Sequence, residues 1–351
     1  MQNYFRTQGC GIHCLLINGL QMTKGRIFSG IQPTGIIHLG NYVGAIQQWV
    51  KLMQDYDCIY CIVDYHAITI EYEVQALRDN IMEAAVTLLA CGLDPEHCKL
   101  FVQSQVPEHT ELSWLFNCIT PIGDLERMTQ FKEKSEQHRE HINLGLLGYP
   151  VLQAADILIY KAGFVPVGED QVQHIELTRR IARRFNYRFG ETFPEPQEIL
   201  TRTSRIMGTD GKTKMSKSLN NYIGILEPPD IIWEKLRTSV TDENRKRRND
   251  PGNPEICNLF TMHKVFSSAE DIARINRECR TAEIGCIECK KILFNNMMVH
   301  FEPIQQKARQ LRDKPELVTA ALDEGARQCR KMAMQVMDEV RTRVGMLPYT
   351  K

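Results

Sequence analysis

No run of apolar residues in this 351-residue chain reaches the roughly 18–20 positions that a membrane-spanning helix requires. Nor does either sign of charge prevail, since 43 Lys and Arg stand against 43 Asp and Glu. A globally basic field is thereby excluded, and any polyanionic partner must be met by a local positive surface. Charge is scarcest near the start, where Arg6 is the only charged side chain before Lys24. That is too little arginine for a transit peptide. The apolar part of the same segment is broken by His13 and Asn18 and lacks the small-residue cleavage site of a secretory signal. Residues 1–22 are therefore expected to be a tail, or an upstream start ahead of Met22. Without a secretory signal, the twelve cysteines belong to a reducing, cytoplasmic setting, as core fillers or metal ligands. Internal repeats, low-complexity tracts, Ser–His–Asp sets and paired catalytic carboxylates are also missing.

What is present is the composition of an ordinary soluble protein, with 43% apolar and 25% charged residues, long enough for two domains. Its most informative stretch is Arg26 to Asn41, RIFSGIQPTGIIHLGN. Ile27-Phe28 starts a strand, Gly30, Pro33 and Gly35 punctuate a turn, and His38-Leu39-Gly40-Asn41 opens a helix whose Val43, Ile46, Val50 and Met53 recur at core spacing. A strand, a glycine turn and a helix N-terminus together make an anion site, because unpaired N–H groups and the helix dipole point at the ligand. Gly40 permits close backbone approach, and His38 and Asn41 can donate to phosphate oxygens. From Asn41, 173 residues further on, Lys214-Met215-Ser216-Lys217-Ser218 supplies two ammonium groups and two hydroxyls on a segment with a mobile look.

Strand and helix alternate through the first two-thirds of the chain. Cys58 to Val63, Lys99 to Gln103 and Phe164 to Val167 read as strands, and Val74–Ala90, Glu108–Cys118 and Val172–Phe185 as helices. The pattern predicts an α/β fold with a doubly wound parallel sheet. Cys58 and Cys61 would point to opposite faces of their strand and fill core space. Asp64-Tyr65-His66 falls at a strand's carboxyl end, where such sheets bind ligands, and His66 can serve either substrate or structure. Gln153 and Asp156 share a helix face, with Tyr149 near its start, and a buried Asp156 needs a hydrogen-bond donor. Met128 to His141 is charged and irregular, and is expected to be an exposed loop or part of an interface. Pro194 and Pro196 mark a connection. Arg179, Arg180, Arg183 and Arg184 could bind a backbone or simply be solvated, and Arg245 to Arg248 could be a solvated loop or meet phosphate. From about Pro228 onward only helical patterns follow, which places a domain boundary near residue 226.

The cysteines leave a gap from Cys118 to Cys257. Cys257, Cys279, Cys286 and Cys289 then form C-x21-C-x6-C-x2-C, with Cys329 alone afterwards. Four clustered thiols suit a metal centre, and spacing alone leaves tetrahedral Zn²⁺ and a [4Fe–4S] cluster equally open.

HLGN and KMSKS together resemble the paired signatures of class I aminoacyl-tRNA synthetases. SGIQPTG-x-x-HLGNYVGA, ERMTQFKEKS and VPVGEDQ-x-QHIELTR extend the resemblance, specifically to the tryptophanyl-tRNA synthetases, over Arg26 to Leu347. It implies a Rossmann-type catalytic domain over 23–226, a helical anticodon-binding domain over 227–351, and a homodimer with no membrane attachment. It also implies ATP-dependent activation of L-tryptophan, Mg²⁺ accompanying the ATP, and acyl transfer to tRNA(Trp). By the same resemblance His38, Asn41, Lys214 and Lys217 are catalytic. Gln32, Pro33, Thr34, Gly40, Asn41, Gly168, Glu169, Asp170, Ile206 and Lys214 to Ser218 (with Met215, Ser216 and Lys217 between) bind ATP. Phe28, Gly30, Tyr149, Gln153, Asp156, Val165, Val167 and Gln171 surround tryptophan, with Asp156 accepting the indole N–H and Tyr149 and Gln171 on the amino group.

Gln153 departs from the methionine usual in bacterial members and matches tyrosyl enzymes of the archaeal type, which makes tyrosine the alternative substrate. Against it, Phe28 stands where those enzymes place a phenol-binding tyrosine. Small-cofactor nucleotidyltransferases share the H-x-G-H pattern but would not explain KMSKS, and a silent RNA-binding paralogue would be expected to lose one signature. A subset of tryptophanyl enzymes carries a [4Fe–4S] cluster on a nearly identical four-cysteine pattern beside the anticodon site. Here the first gap is one residue shorter. By that resemblance the cluster would pin helices presenting Lys290 and Lys291 to the anticodon.

Overall fold

The computed structural model describes residues 24–137, 142–200, 206–217 and 219–347, so the N-terminal tail and Ser218 lie outside it. In chain order the strands are β1 (Arg26–Ile31), β2 (Asp57–Ile62), β3 (Cys98–Val102), β4 (Phe164–Val167) and β5 (Gln197–Leu200). They pair in parallel in the order β3-β2-β1-β4-β5. This is the doubly wound α/β sheet of the Rossmann type that strand–helix alternation predicts. Chain order reverses between β1 and β4, so the loops leaving those two strands diverge and open a crevice at their carboxyl ends.

The helices of this part are short α1 (Leu39–Asn41), α2 (Gln47–Leu52), α3 (Asp64–Ala67), α4 (Val74–Ala90), α5 (Glu108–Asn117), α6 (Ile122–Glu126), α7 (Thr129–Gln137), α8 (Leu144–Leu158) and α9 (Val172–Phe189). A π-turn over Tyr42–Ile46 joins α1 to α2 and widens the helix where it borders the crevice. Two apolar layers sandwich the sheet. Ile27, Cys58, Tyr60 and Ile62 face one, Phe28, Ile59, Cys61 and Phe101 the other. Cys58 and Cys61 therefore take opposite faces, as the two-residue period of a strand demands.

Two local expectations fail. Thr129–Gln137 is helical, not irregular, because residues such as Gln130, Lys132 and Glu136 favour helix even where no apolar stripe guides it. The connection after Pro196 contains edge strand β5, whose polar, partly exposed Gln197 and Glu198 carry no alternating pattern to betray it.

Beyond residue 226 come α10 (Pro229–Thr238), α11 (Asn258–Phe266), α12 (Ala269–Arg280), α13 (Cys286–Arg312) and α14 (Pro315–Arg343). The last of these returns to the sheet and packs along β3 and α5. Ala326, Cys329, Ala333, Met337 and Val340 are buried in the same apolar layer as Phe28 and Phe101. Arg341 grips Glu111 of α5, and Arg330 reaches Glu108. Gly325 makes the close approach possible, since a β-carbon there would stand 2.0 Å from the carbonyl oxygen of Leu100.

Candidate active site

The crevice between β1 and β4 holds a cavity of about 310 Å³. Phe28 and Gly30 come from β1, Val165 and Val167 from β4, and Tyr149, Gln153 and Asp156 from one face of α8, with Gln171 at the start of α9. All eight residues expected around an amino-acid substrate thus line a single space. Gly30 is glycine for a steric reason: a β-carbon would meet Val63 at 2.8 Å. The Tyr149 hydroxyl lies 3.1 Å from His174 Nε2, which fixes its direction.

At the cavity floor stands Asp156, 1% exposed. Its Oδ1 accepts from Gln103 Nε2 at 2.7 Å and from His109 Nδ1 at 2.6 Å, and its Oδ2 from His66 Nε2 at 2.7 Å. Burial pushes the carboxyl pKa up, but the hydrogen bonds from His109 and His66 outweigh burial and bring it down to about 2. Asp156 is therefore ionised at neutral pH, so the ring nitrogens facing it carry protons. A carboxylate has about four lone-pair positions, and three are filled. The fourth, on Oδ2, is open to a ligand N–H or O–H. Sequence reasoning located Asp156 but not Gln103, His109 or Tyr160, whose hydroxyl is 2.7 Å from His109 Nε2. Trp49, Gly44 and Ala45 of the first helical segment also line the cavity unannounced.

A second cavity, of about 710 Å³, adjoins through Gln32 and His66. Thr34, His38, Asn41, Met215, Ser216 and Lys217 line it, which brings the HLGN and KMSKS segments face to face. Lys217 Nζ bonds the carbonyl of Thr34 and stands against Gly35, whose positive φ of 103° a side chain would strain. Burial lowers the Lys217 pKa to about 8. His38 caps α1, its Nδ1 accepting from Asn41 N–H at 3.4 Å while Asn41 Oδ1 accepts from His38 N–H at 3.2 Å. Burial, then the nearby Lys217 charge, lowers the His38 pKa to about 4, so the ring is neutral and carries its proton on Nε2. Lys214 reaches sideways to Asp170 at 3.3 Å, tying KMSKS to the GEDQ turn. Ile206 is buried in the core, and Pro33, Gly40, Glu169 and Asp170 do not line this cavity. Gly168 belongs to the first cavity. The loop is held, not free: Asn221 accepts from Ser216 N–H at 2.7 Å and donates to the Lys214 carbonyl and to Asp210.

Several cations behave differently from expectation. Lys290 is not presented to solvent. It is buried, and its Nζ donates to the carbonyls of Arg237 and Ser239, both at 2.7 Å. Arg179, Arg183 and Arg184 are paired with Glu198, Glu195 and Asp124, and Arg180 lies near Asp124, so the α9 arginines form ion pairs and not a bare phosphate face. Lys291 lies over the rings of Trp233 and Phe294. Among the described residues no group of three or more His, Cys, Asp or Glu side chains that could hold a metal ion is found. Cys257, Cys279, Cys286 and Cys289 are nonetheless neighbours, each free of disulfides, with Arg245 Nη1 3.9 Å from Cys279 Sγ and 3.7 Å from Cys286 Sγ. The Cys289 thiol, pushed up to about 12 by burial, also feels the other three.

Comparison with known proteins narrows the reading. Residues 21–302 match the family model described as tRNA synthetases class I (W and Y). The chain is 54% identical over 327 residues to a tryptophan–tRNA ligase of Deinococcus radiodurans, covering 92% of this chain and 99% of that one. It is 45% identical to the enzyme of that name from Thermotoga maritima, with the same coverage. Among solved structures it is similar to the tryptophanyl-tRNA synthetase of Campylobacter jejuni complexed with ADP and tryptophan, with a TM-score of 0.83 and 34% identity over 92% of this chain and 100% of that one. A tyrosyl-tRNA synthetase of Archaeoglobus fulgidus, at 19% identity and a TM-score of 0.64, shares the fold alone.

Proposed function

We propose a division of labour among the residues of a chain that belongs to the tryptophan–tRNA ligases of the class I tRNA synthetase family. Its reaction is ATP-dependent activation of tryptophan and transfer of the tryptophanyl group to tRNA(Trp). Tyrosine is not favoured as substrate. In the first step the tryptophan carboxylate attacks the α-phosphorus of ATP and pyrophosphate leaves. In the second, a 3′-terminal hydroxyl of the tRNA takes the acyl group and AMP departs. Neither step needs a protein nucleophile, so the residues act by position and charge.

One observation carries the assignment of roles. The cavity that holds the ionised Asp156 carboxylate adjoins, through Gln32 and His66, a second cavity walled by His38, Asn41 and Lys217. Tryptophan fits the first, with Asp156 Oδ2 accepting the indole N–H, Phe28 against the ring, and Tyr149 and Gln171 toward the amino group. ATP fits the second, with Gln32, Thr34 and Asn41 near its phosphates and the Nε2–H of His38 as a neutral donor. Lys217 and Lys214 take up the charge that grows on the departing pyrophosphate. Mg²⁺ accompanies ATP, in keeping with the chemistry of a class I tRNA synthetase. Pyrophosphate exchange into ATP is expected with tryptophan alone, and Asp156→Ala should lose tryptophan while nearly keeping ATP affinity. Exchange driven by tyrosine, or equal loss of both ligands, would overturn these roles.

The same reading divides the chain into a catalytic unit over 23–226 and a helical anticodon-binding unit over 227–351, in a cytoplasmic homodimer. Exposed Trp114 of α5 and Ile122 of α6, on helices that both pack against α8, support a subunit contact. The four neighbouring thiols support a [4Fe–4S] cluster, with Zn²⁺ as the alternative. The donors suit either, and Arg245 supplies positive charge against thiolates. Its role would be structural, holding α11, α12 and α13 together. Anaerobic purification should yield a brown protein with about four irons per chain. One zinc and no iron would leave the site without the cluster, and neither metal would remove both.

A further inference from the structure

Asp156 is held in a way that the chemistry of accepting one N–H does not by itself require. A carboxylate's terminal torsion is soft, and an Asp bound at one point could swing to follow donors placed differently in different substrates. A phenol O–H would then serve as well as an indole N–H. In this chain Oδ1 is occupied by two donors, Gln103 and His109, from separate elements, and that fixes the carboxylate plane. His109 is fixed in its turn. Its other nitrogen meets the Tyr160 hydroxyl at 2.7 Å, and both rings are fully buried. Burial raises the Tyr160 pKa well above its ordinary value, so that hydroxyl keeps its proton. Phe28, which lines the cavity, stacks on Tyr160 with centroids 5.7 Å apart and planes 17° apart. The helix carrying His109 is bound on either side of it, by Glu108 to Arg330 and by Glu111 to Arg341 of α14.

We infer that His109, oriented by Tyr160, is the positioning residue that sets which donor geometry Asp156 can accept, and so determines selection of tryptophan without touching it. The inference rests on Asp156 as the indole acceptor. Neither His109 nor Tyr160 lines the cavity, which separates their role from a binding one. No proton is transferred. The chain Tyr160–His109–Asp156 works by holding an acceptor still, and the benefit appears only for a ligand whose donor lies where Oδ2 points.

The test compares kcat/KM in pyrophosphate exchange for tryptophan and for 3-(benzothiophen-3-yl)alanine, in which sulfur replaces the indole N–H at similar shape. The parent enzyme should prefer tryptophan by roughly 100-fold or more, because the analogue leaves a buried acceptor unpaired. His109→Ala should reduce that ratio by about 10-fold or more. Tyr160→Phe should reduce it less, and His109→Asn, whose amide can still donate to Oδ1, should restore most of it. The ATP KM should stay unchanged throughout. Equal loss for both amino acids in His109→Ala would mark a structural residue and overturn the inference. A fall in ratio that His109→Asn does not restore would overturn it too. Asp156→Ala separates the premise: if it keeps the preference for tryptophan, Asp156 is not the acceptor and both readings fall. If it loses the preference while His109→Ala and Tyr160→Phe keep it, only the positioning role falls. Should His109→Ala fail to fold, Tyr160→Phe, which preserves volume, carries the same comparison.

Discussion

Replacing Gly325 by alanine should destabilise this protein, although the same change in an ordinary helix interior stabilises by about 1 kcal/mol. Gly325 lies in the middle of α14, where that helix passes over β3. An added β-carbon would stand 2.0 Å from Leu100 O, 2.7 Å from Leu100 C and 3.1 Å from Leu100 N. All three are backbone atoms of a strand hydrogen-bonded to β2, so they cannot turn aside as a flexible side chain would. Ordinary contact begins near 3.4 Å, so α14 must retreat by roughly 1.4 Å along that line. A gap of that size forfeits about half or more of each dispersion interaction it opens, here those of Leu322, Ala326 and Cys329 against the sheet. Overpacking in a rigid site costs about 1–3 kcal/mol, and the weakened packing along the helix adds to that.

After the propensity gain is set against this, a net loss of about 1–3 kcal/mol remains, which over a chain of this length should lower Tm by on the order of 1–4 °C. The comparison is Gly148→Ala in α8, where nothing lies within 4 Å of the added carbon and the helix-propensity gain should appear almost undiminished. Thermal unfolding followed by circular dichroism distinguishes the two. A Gly325→Ala protein as stable as its parent would mean that α14 does not seat on β3 at this distance. The grip of that helix on Glu108 and Glu111 would then lose its foundation.

Lys217→Ala should lower kcat for pyrophosphate exchange by roughly 100-fold or more while changing the ATP KM little, since its charge is needed most as pyrophosphate leaves; unchanged kcat would refute this. In the free enzyme Lys217 is charged below about pH 8 and neutral above it. The kcat/KM for ATP should therefore fall as pH rises through 8, and Lys217→Arg should move that limb upward. A limb that stays near pH 8 in the arginine variant belongs to another group. His38, with a pKa of about 4 in the folded chain, protonates later than its ordinary value of 6.5 in the unfolded one. It contributes stability fully above pH 6.5, and that contribution is lost as pH falls through 4. Urea midpoints measured between pH 7 and 4 should fall less steeply for His38→Gln than for the parent, and parallel curves would refute the assignment.

The fold was legible in the chain wherever burial imposed a pattern. Cys58–Val63 is apolar because it lies beneath helices on both faces, and the opposite orientations of its two cysteines followed from pleat geometry alone. Residues 74–90 had both a helical period and the Gly92 and Asp94-Pro95 stop signals. Where burial is partial the sequence is silent. The β5 strand joins the sheet through backbone groups that any residue carries, and α7 has no apolar stripe to mark it. The return of α14 to β3 is a tertiary choice. Its apolar stripe shows that it packs somewhere, while Gly325, the one residue that names the partner, looks from the sequence like a weakness in the helix.

The site divides along the same line. Motif residues are legible because phosphate chemistry needs backbone N–H groups, a glycine and lysines in a short span, and HLGN and KMSKS crowd them together. Asp156 was legible as a polar residue on an apolar face. The groups that give it meaning were not, because Gln103 lies 53 residues away, His109 47 and His66 90. Each follows a different strand or begins a different helix, and each alone is an ordinary polar residue near an element's end. A buried carboxylate must nevertheless find donors, and this one has the room and the charge for three from the protein. Lys290 went wrong for the complementary reason. Beside Lys291 it looked like half of a basic pair, but on a helix the two point about 100° apart. One turned inward to satisfy carbonyls at the end of α10 and just beyond it, and only the other remained over the aromatic surface of Trp233. A cation's role therefore depends on which unpaired carbonyls lie within its reach, and the helix ends that set this are placed by tertiary packing, not by neighbours in sequence.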